Sequence, residues 1–481
     1  ATHLEHQSLQ VGLGMFVALH AAIVMVQHVA IVGGGLAGLA CGVALTDAGL
    51  RVTLIEREER LGGRARSWTD ATSGDVIDLG PHVLHSEYRN MLGFLERLGT
   101  RDLIHWQPDN LITLVDGERV VRLRHSPLPA PLSLLPDLVR GSRLTLRDLA
   151  SNNRVTWRAL RFREDDVPEL DQFGALDYLR ALGVSQPMIE WFWAFASLSV
   201  MNVPLERCSA AALLRVHSQL IGHRGLHFGF PAVGLAELFA PQAARVIDRV
   251  VLRAEVVAIE KGVMLADGTH IAADHVVNTL PPQHEIEPSP YVSVYLWFDR
   301  KLTRERFWAL LGAEKRLNTD FYDLSNIRRG WGERPSIVAS NIVYSHRAHR
   351  MSNEDIVAAT QREIAQFAPQ AAYARVTHAV INRIPMVIPC PVPGSESARP
   401  APSATLAGDW TNTALPSSME SAVRSGLMAA EHVLRLAGRP RELALPMRSS
   451  DGLAGLVQKL PRAVPGRAWR TPPTARPRAR P

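Results

Sequence analysis

The stretch His28-Val29-Ala30-Ile31-Val32-Gly33-Gly34-Gly35-Leu36-Ala37-Gly38, followed by Arg51-Val52-Thr53-Leu54-Ile55-Glu56, decides the fold. An apolar run of strand type meets three glycines. A helical pattern through Ala40, Val43, Ala44 and Leu45 follows and ends at Gly49, which suits a left-handed cap. A second strand then closes on an acid. Strand, G-x-G-x-x-G, helix, strand and acid in this order spell a dinucleotide site. Gly33 permits the tight turn, Gly35 lets a pyrophosphate reach the backbone, and Gly38 lets helix and strand approach closely. Leu36 and Ala37 open the helix, whose free N–H groups and positive dipole end suit phosphate. Glu56, with Arg57 beside it, is placed to accept from a ribose diol. NAD and FAD fit this much equally well.

The next residues separate them. Arg60-Leu61-Gly62-Gly63-Arg64-Ala65-Arg66-Ser67 resembles the R-x-G-G-R-x-x-S/T signature of the amine oxidase and phytoene desaturase superfamily of flavoproteins. The resemblance implies an α/β fold: a Rossmann-like FAD-binding domain interleaved with an α+β substrate domain. It puts Gly63, Arg64 and Ala65 against the cofactor, where a guanidinium suits phosphate oxygens. Ala404-Thr405-Leu406-Ala407-Gly408-Asp409 reads as a strand closing on a turn, and Met419-Glu420-Ser421-Ala422 opens a helix. By resemblance, Gly408 and Asp409 meet the ribityl or pyrophosphate oxygens. Ser418, Met419 and Ala422 place a helix N-terminus at the flavin pyrimidine edge, where its dipole stabilises negative charge. The hairpin through Asp267-Gly268 resembles the segment that rejoins the FAD domain, with Val256 at the adenine. Asp78-Leu79-Gly80-Pro81-His82 looks like the segment facing the flavin, which adds Gly80, Pro81 and His82 to the cofactor-binding set.

The expected organisation is an N-terminal extension over 1–24, an FAD domain from 25–95, 231–285 and 396–438, a substrate domain from 96–230 and 286–395, and a basic Pro/Arg-rich tail over 439–481. The length of 481 residues agrees with two or three domains, at about 150 residues each. Net charge is +6, but Gly452–Pro481 holds seven Lys or Arg and no acid, so the rest of the chain carries 6 − 7 = −1. Basic residues confined to a tail do not make a nucleic-acid face. Three scattered cysteines, Cys41, Cys208 and Cys390, exclude a disulfide framework and a zinc ribbon, and fit a reducing, cytoplasmic compartment. No Lys or Arg precedes Arg51, so no secretory n-region is present in these residues. The apolar run Val11–Val26 is 16 residues, short of the ~20 that span a bilayer. It reads as an upstream extension before Met25 or as a membrane-dipping segment.

On the substrate side, His82-x-x-His85 and His346-x-x-His349 lack partners for a metal site, and none is expected. Trp191-Phe192-Trp193 and Phe195 fit either core or the lining of an apolar tunnel. Ser293–Phe298 reads as a strand flooring such a site. Leu128–Leu132, Ser197–Asn202 and Cys208-Ser209-Ala210 look like hydroxysqualene dehydroxylases, and Phe321–Ser325 looks like plant-type carotene desaturases. Amine oxidases carry aromatic residues upstream of the position of Met419, where this chain has Leu415-Pro416-Ser417-Ser418.

The resemblance therefore implies noncovalent FAD exchanging hydride at N5 with a long apolar isoprenoid. The reaction would be reductive dehydroxylation of hydroxysqualene to squalene or a phytoene-type desaturation. Its electron donor or acceptor is unidentified, and peripheral contact with the inner face of the membrane is expected. His82 is the candidate general acid. An oxidase of small amines and a non-redox FAD-dependent isomerase stay open as alternatives.

Overall fold

The structure is a computed structural model that describes residues 26–282, 286–312 and 315–461. The expected extension over 1–24 and the tail beyond 461 lie outside the described residues. The strands His28–Val32, Arg51–Ile55, Arg249–Val251 and His275–Asn278 form one all-parallel sheet. Its inner strands are apolar on both faces because helices cover one and a three-stranded sheet, Val256–Ile259, Gly262–Leu265 and His270–Ala272, covers the other. The helix Leu36–Asp47 returns the chain from the first strand to the second, and Gly49 ends it with φ +79°. Downstream, Ala404–Leu406 makes only an isolated parallel bridge, Asn278 to Leu406, instead of the strand its sequence suggests. The chain leaves the sheet edge at once for the Gly408 turn, where φ is +139°.

The helix Met419–Leu436 lies across Leu36–Asp47, and its approach is set by Gly426. A Cβ built there would fall 2.2 Å from the carbonyl oxygen of Ala37. Val423, Ala429, Ala430 and Val433 fill the rest of the contact and are fully buried in the same cluster as Val29, Ile31 and Leu39. Helix-on-helix contact at this distance is available only to a residue without a side chain.

The second lobe is built on a seven-stranded sheet. Its strand Pro288–Phe298, second from one edge, pairs antiparallel with Ile337–Val343 on one side and with the 14-residue edge strand Val376–Pro389 on the other. One face carries Val292, Val294, Leu296 and Phe298 against the helix Asn353–Ile364. The opposite face carries Tyr291, Ser293, Tyr295 and Trp297 toward the FAD lobe and a helical layer. In that layer a continuous helical run starts at the cap Ser185 and passes through Gln186–Met188, a π-helical turn Ile189–Trp193 and Ala194–Met201. The aromatic patch is core: Trp191 and Trp193 are buried, and Trp193 Nε1 donates to Asn152 Oδ1 at 2.9 Å. Ser293–Phe298 lies within the strand Pro288–Phe298, as expected.

Gly426→Val is expected to destabilise the protein by about 3 kcal/mol, the upper range for overpacking a well-filled contact. Its thermal unfolding would fall well below wild type, and wild-type stability would refute the close-approach account.

Candidate functional site: the FAD cleft and the face of the substrate sheet

The first glycine turn is shaped by what lies behind it. Gly33 has φ +107°, and a Cβ there would sit 2.4 Å from Thr279 Oγ1. A Cβ on Gly38 would sit 2.0 Å from the Gly33 carbonyl oxygen. Gly35 differs: the nearest atom to its built Cβ is Gly63 Cα at 4.0 Å, so its outer side is open. Leu36 and Ala37 begin the helix, and no side chain caps it at Gly35. An uncapped helix N-terminus beside a bare glycine suits a pyrophosphate, which would serve as the missing cap. Glu56 is nearly buried, and its carboxylate accepts from Gly34 N at 2.7 Å and Glu58 N at 2.8 Å. It therefore orders the turn through both amides. Arg57 is exposed at the rim and pairs with Glu58 at 3.5 Å. Val256 is half-buried against Ala30, Val32 and Ile55, beside the strand ends.

The second glycine loop lies on the first. Gly62 N donates to Gly34 O at 2.8 Å, and a Cβ on Gly63 would fall 3.2 Å from Gly35 Cα. Ala65 is buried behind it and donates to Gly62 O. Arg64 joins this loop to the third motif. Its guanidinium makes a bidentate pair with Asp409, at 3.2 Å to Oδ2 and closer to Oδ1, and donates to Val387 O at 2.6 Å. Gly408 N donates to Ser425 Oγ at 2.8 Å, which ties the turn to the helix it precedes. Ser418 caps that helix by accepting from Ser421 N, Met419 is buried and Ala422 half-buried at its start. Glu420 accepts from Asn90 N, Asn90 Nδ2 and Met91 N at 2.7–2.9 Å and locks the same end onto the helix Arg89–Arg97.

Arg399 carries no signal in the sequence, yet it holds this corner. Its guanidinium donates to the carbonyl oxygens of Asp409, Thr411 and Leu415 at 2.6–3.0 Å. It also pairs with buried Glu396, which pairs in turn with Arg215 of the helix Ala210–Gly222. The flavin-side turn is thereby anchored to the substrate lobe through buried charges.

The Asp78–His82 segment rests on the face of the substrate sheet. Asp78 is buried and accepts from Arg328 Nη2 at 2.6 Å, Ser67 Oγ and Leu235 N. Leu79 O accepts from Ser293 Oγ at 2.5 Å and Asn382 Nδ2 at 3.2 Å. A Cβ on Gly80 would touch the Tyr291 ring at 3.0 Å, so the backbone here presses directly on the sheet. Pro81 is buried in the same turn. His82 Nδ1 lies 2.7 Å from Gly80 O, so Nδ1–H donates and Nε2 is left as an acceptor. Burial lowers the His82 pKa below the ordinary value. A neutral ring with its one proton committed to Gly80 has none to give, which runs against the general-acid expectation. Burial likewise lowers His85 to about 3. No cluster of three or more metal-ligating side chains occurs among the described residues.

Residues 36–434 match the family described as flavin containing amine oxidoreductase. The chain belongs to that family. It is an FAD-dependent oxidoreductase, and the residues that converge here fit FAD. Among relatives of this family member, 15-cis-phytoene desaturase of Synechococcus elongatus is 27% identical, covering 86% of this chain and 99% of that protein. Carotenoid phi-ring synthase of Streptomyces griseus is 28% identical, covering 84% and 87%. Putrescine oxidase with putrescine bound shares the fold at TM-score 0.67 and 16% identity, covering 85% of this chain and 99% of that one. Reduced UDP-galactopyranose mutase does so at 0.61 and 15%, covering 90% and 99%.

Asp409→Ala is expected to weaken FAD retention by about tenfold or more, because it strips the partner of Arg64 at the junction of two cofactor loops. The ratio of flavin to protein absorbance after desalting, and titration of the apoprotein with FAD, measure it. Full flavin content would contradict the role given to this pair.

Proposed function

We propose that this FAD-dependent oxidoreductase acts on a long apolar isoprenoid by a phytoene-type desaturation. The observation that carries the reading is the character of the sheet face turned toward the FAD lobe: Tyr291, Tyr295, Trp297, Phe307 and Tyr322 with Ile337 and Ala339, a face of rings and aliphatics whose neighbouring cations Arg328 and Arg334 are engaged by Asp78 and Asp75. Relatives named as 15-cis-phytoene desaturases, similar over almost their whole length, support it. The segment before Met419 supports it further, since buried Leu415 with Pro416 and Ser417 offers no aromatic pair to hold an ammonium.

When bound, FAD supplies the two-electron chemistry by accepting or donating hydride at N5. The chain supplies the rest. The glycine loops, Arg64 and Asp409 fix the cofactor. The Gly80–His82 turn, pinned by Ser293, Asn382 and the His82 ring, sets how closely substrate can approach. The aromatic face excludes water and orients a hydrocarbon, for which a reacting distance of about 3–3.5 Å is needed. Noncovalent attachment fits the cysteines: Cys41 and Cys390 are buried, and burial pushes each thiol up to about 12. Reductive dehydroxylation of hydroxysqualene is the second reading, resting on the segments Leu128–Leu132 and Ser197–Asn202.

A membrane surface is the source of such a substrate, and one part of the chain suits it. The helix Gly452–Lys459 buries Ala454 inward, yet Leu453, Leu456 and Leu460 are 46, 63 and 45% exposed on its other side. Ala454 N donates to Ala130 O, which sets this helix beside exposed Leu128 and Leu132, and Arg161 ties it to the helix bearing exposed Trp157. The arginines of the tail follow directly in sequence. No described helix is long and apolar enough to cross a membrane. The arrangement is that of a surface that lies on anionic lipid.

Incubation of the FAD-loaded protein with phytoene and with hydroxysqualene, followed by lipid analysis, tests the reaction. Desaturated phytoene with an added electron acceptor is expected. Squalene formed only with a reductant would reverse the direction, and aerobic peroxide from amines alone would overturn both. In sedimentation with vesicles, binding to phosphatidylglycerol but not to phosphatidylcholine is expected. Replacing Leu453, Leu456 and Leu460 by Ser should weaken it about tenfold. Equal binding by that variant would remove this face from the account.

A further inference from the structure

Two stretches of chain run antiparallel where the lobes meet: 64–70, after the second glycine loop, and 378–387, on the edge strand of the substrate sheet. They are tied at both ends. Arg64 Nη1 donates to Val387 O at 2.6 Å, and His378 Nε2 lies 2.9 Å from Asp70 Oδ2. Between these ties no strand pairing joins them, since Ser67–Thr69 pairs only with Val76–Asp78 and Val376–Pro389 only with Pro288–Phe298. A cleft of about 510 Å³ opens there. Leu79 lines it, with its carbonyl held by Asn382 Nδ2 at 3.2 Å, next to the Gly80–His82 turn. Arg66 lines it from the other side, packed on the glycine loop: a Cβ on Gly62 would fall 3.0 Å from Arg66 Cα. None of the residues that converge on FAD lines this cleft.

Three arginines line it, and two are committed. Arg60 pairs with Glu59 at 2.8 Å, and Arg383 donates to Ala348 O, Met351 O and Asn353 Oδ1 at 3.0 Å. The acids of the lining are engaged as well, Glu58 by Arg57 and Glu59 by Arg60 and Arg253. Arg66 is half-buried and differs: no acceptor meets its guanidinium among the described residues. Its backbone is extended, and Trp68 stands two residues on, so both side chains turn to one side. The Trp68 indole is half-buried in the lining, and its Nε1–H has no acceptor among the described residues either. Opposite, Asn382 donates through Nδ2 to Leu79 O and Ser293 Oγ, which leaves Oδ1 free to accept.

This lining does not suit a hydrocarbon, because it holds a cation that nothing compensates. A guanidinium fork suits two oxygens of a phosphate. A bare anion would fill little of the space, whereas clefts of about 300–1,000 Å³ hold whole small molecules. An indole in the wall suits a planar base. We propose that the cleft is a second nucleotide site, separate from that of FAD. Arg66 binds a phosphate ester, Trp68 stacks the base, and Asn382 Oδ1 accepts from the base or its ribose. The assignment does not depend on the isoprenoid reading, and the failure of either leaves the other standing.

Calorimetric titration of the FAD-loaded full chain with 5′-AMP, NADPH and inorganic phosphate, at one ionic strength, tests it. Both nucleotides are expected to bind about tenfold tighter than phosphate, the part owed to stacking. Arg66→Met should weaken both nucleotides and phosphate by about tenfold or more, and Arg66→Lys should recover only part of the loss. Trp68→Leu should weaken the nucleotides by about tenfold and leave phosphate unchanged. Arg60→Met, which removes an already paired guanidinium, should leave all three as in wild type. Flavin content and unfolding temperature should stay at wild-type values in Arg66→Met. Nucleotides that fail to bind the FAD-loaded protein, that bind no tighter than phosphate, or that bind Arg66→Met as tightly as wild type overturn the assignment. Release of FAD by added nucleotide, or loss of flavin from Arg66→Met, also overturns it, because the cleft would then belong to FAD itself.

Discussion

The lobe that binds FAD depends on backbone meeting backbone where side chains are absent. Gly38 against Gly33, Gly63 against Gly35 and Gly426 against Ala37 are three such approaches, each closer than a Cβ would allow or nearly so. The first closes a single turn, the second lays one loop on another 28 residues away, and the third joins helices 389 residues apart in sequence. Hydrophobic burial supplies the attraction between the two helices, but it is not directional. The glycines decide where the surfaces stop. Once they have, Arg64 falls within reach of Asp409 and the uncapped start of Leu36–Asp47 is left open between the loops.

This dependence explains what could be read beforehand. A positive φ or a forbidden Cβ restricts a position to one residue type, so Gly33, Gly38, Gly49 and Gly62–Gly63 announce their geometry in the sequence. Glu56 was legible as the acid after the second strand, although its acceptance of the Gly34 and Glu58 amides was not. Register across a sheet leaves no such mark. The row of direct partners Asn382, Ser293, Asn341 and Asp320 is assembled from four strands whose alignment is fixed by packing on both faces, and no spacing within any one strand reveals it. Arg399 was silent for a related reason: it acts on carbonyl oxygens, which every residue has.

Burial separates readings that residue type leaves together. The Trp191-Phe192-Trp193 run fits core or tunnel lining by composition, and indole N–H groups held by Asp116 and Asn152 place Trp191 and Trp193 in the core. His82 has the residue type of an acid catalyst, but type says nothing of desolvation or of which nitrogen is already engaged. Ala404–Leu406 has the pattern of a strand, yet the turn imposed by Gly408 takes the chain away after one bridge. In each case burial, a hydrogen-bond partner or a turn decides what composition and pattern leave open.

Charge is handled differently on the two sides of the cleft. On the cofactor side and at the lobe junction, buried ions come in pairs: Arg64 with Asp409, Arg328 with Asp78, Arg215 with Glu164 and Glu396. Removing one partner of a buried pair costs about 3–5 kcal/mol, since the other is left uncompensated. Such pairs hold a geometry and resist change of protonation. A site for a hydrocarbon can tolerate no fixed charge, because desolvating one without a partner is prohibitive. It can tolerate a group that becomes neutral. Asp320, buried beside one amide, has its carboxyl pushed up to about 7 by desolvation, unlike the paired acids.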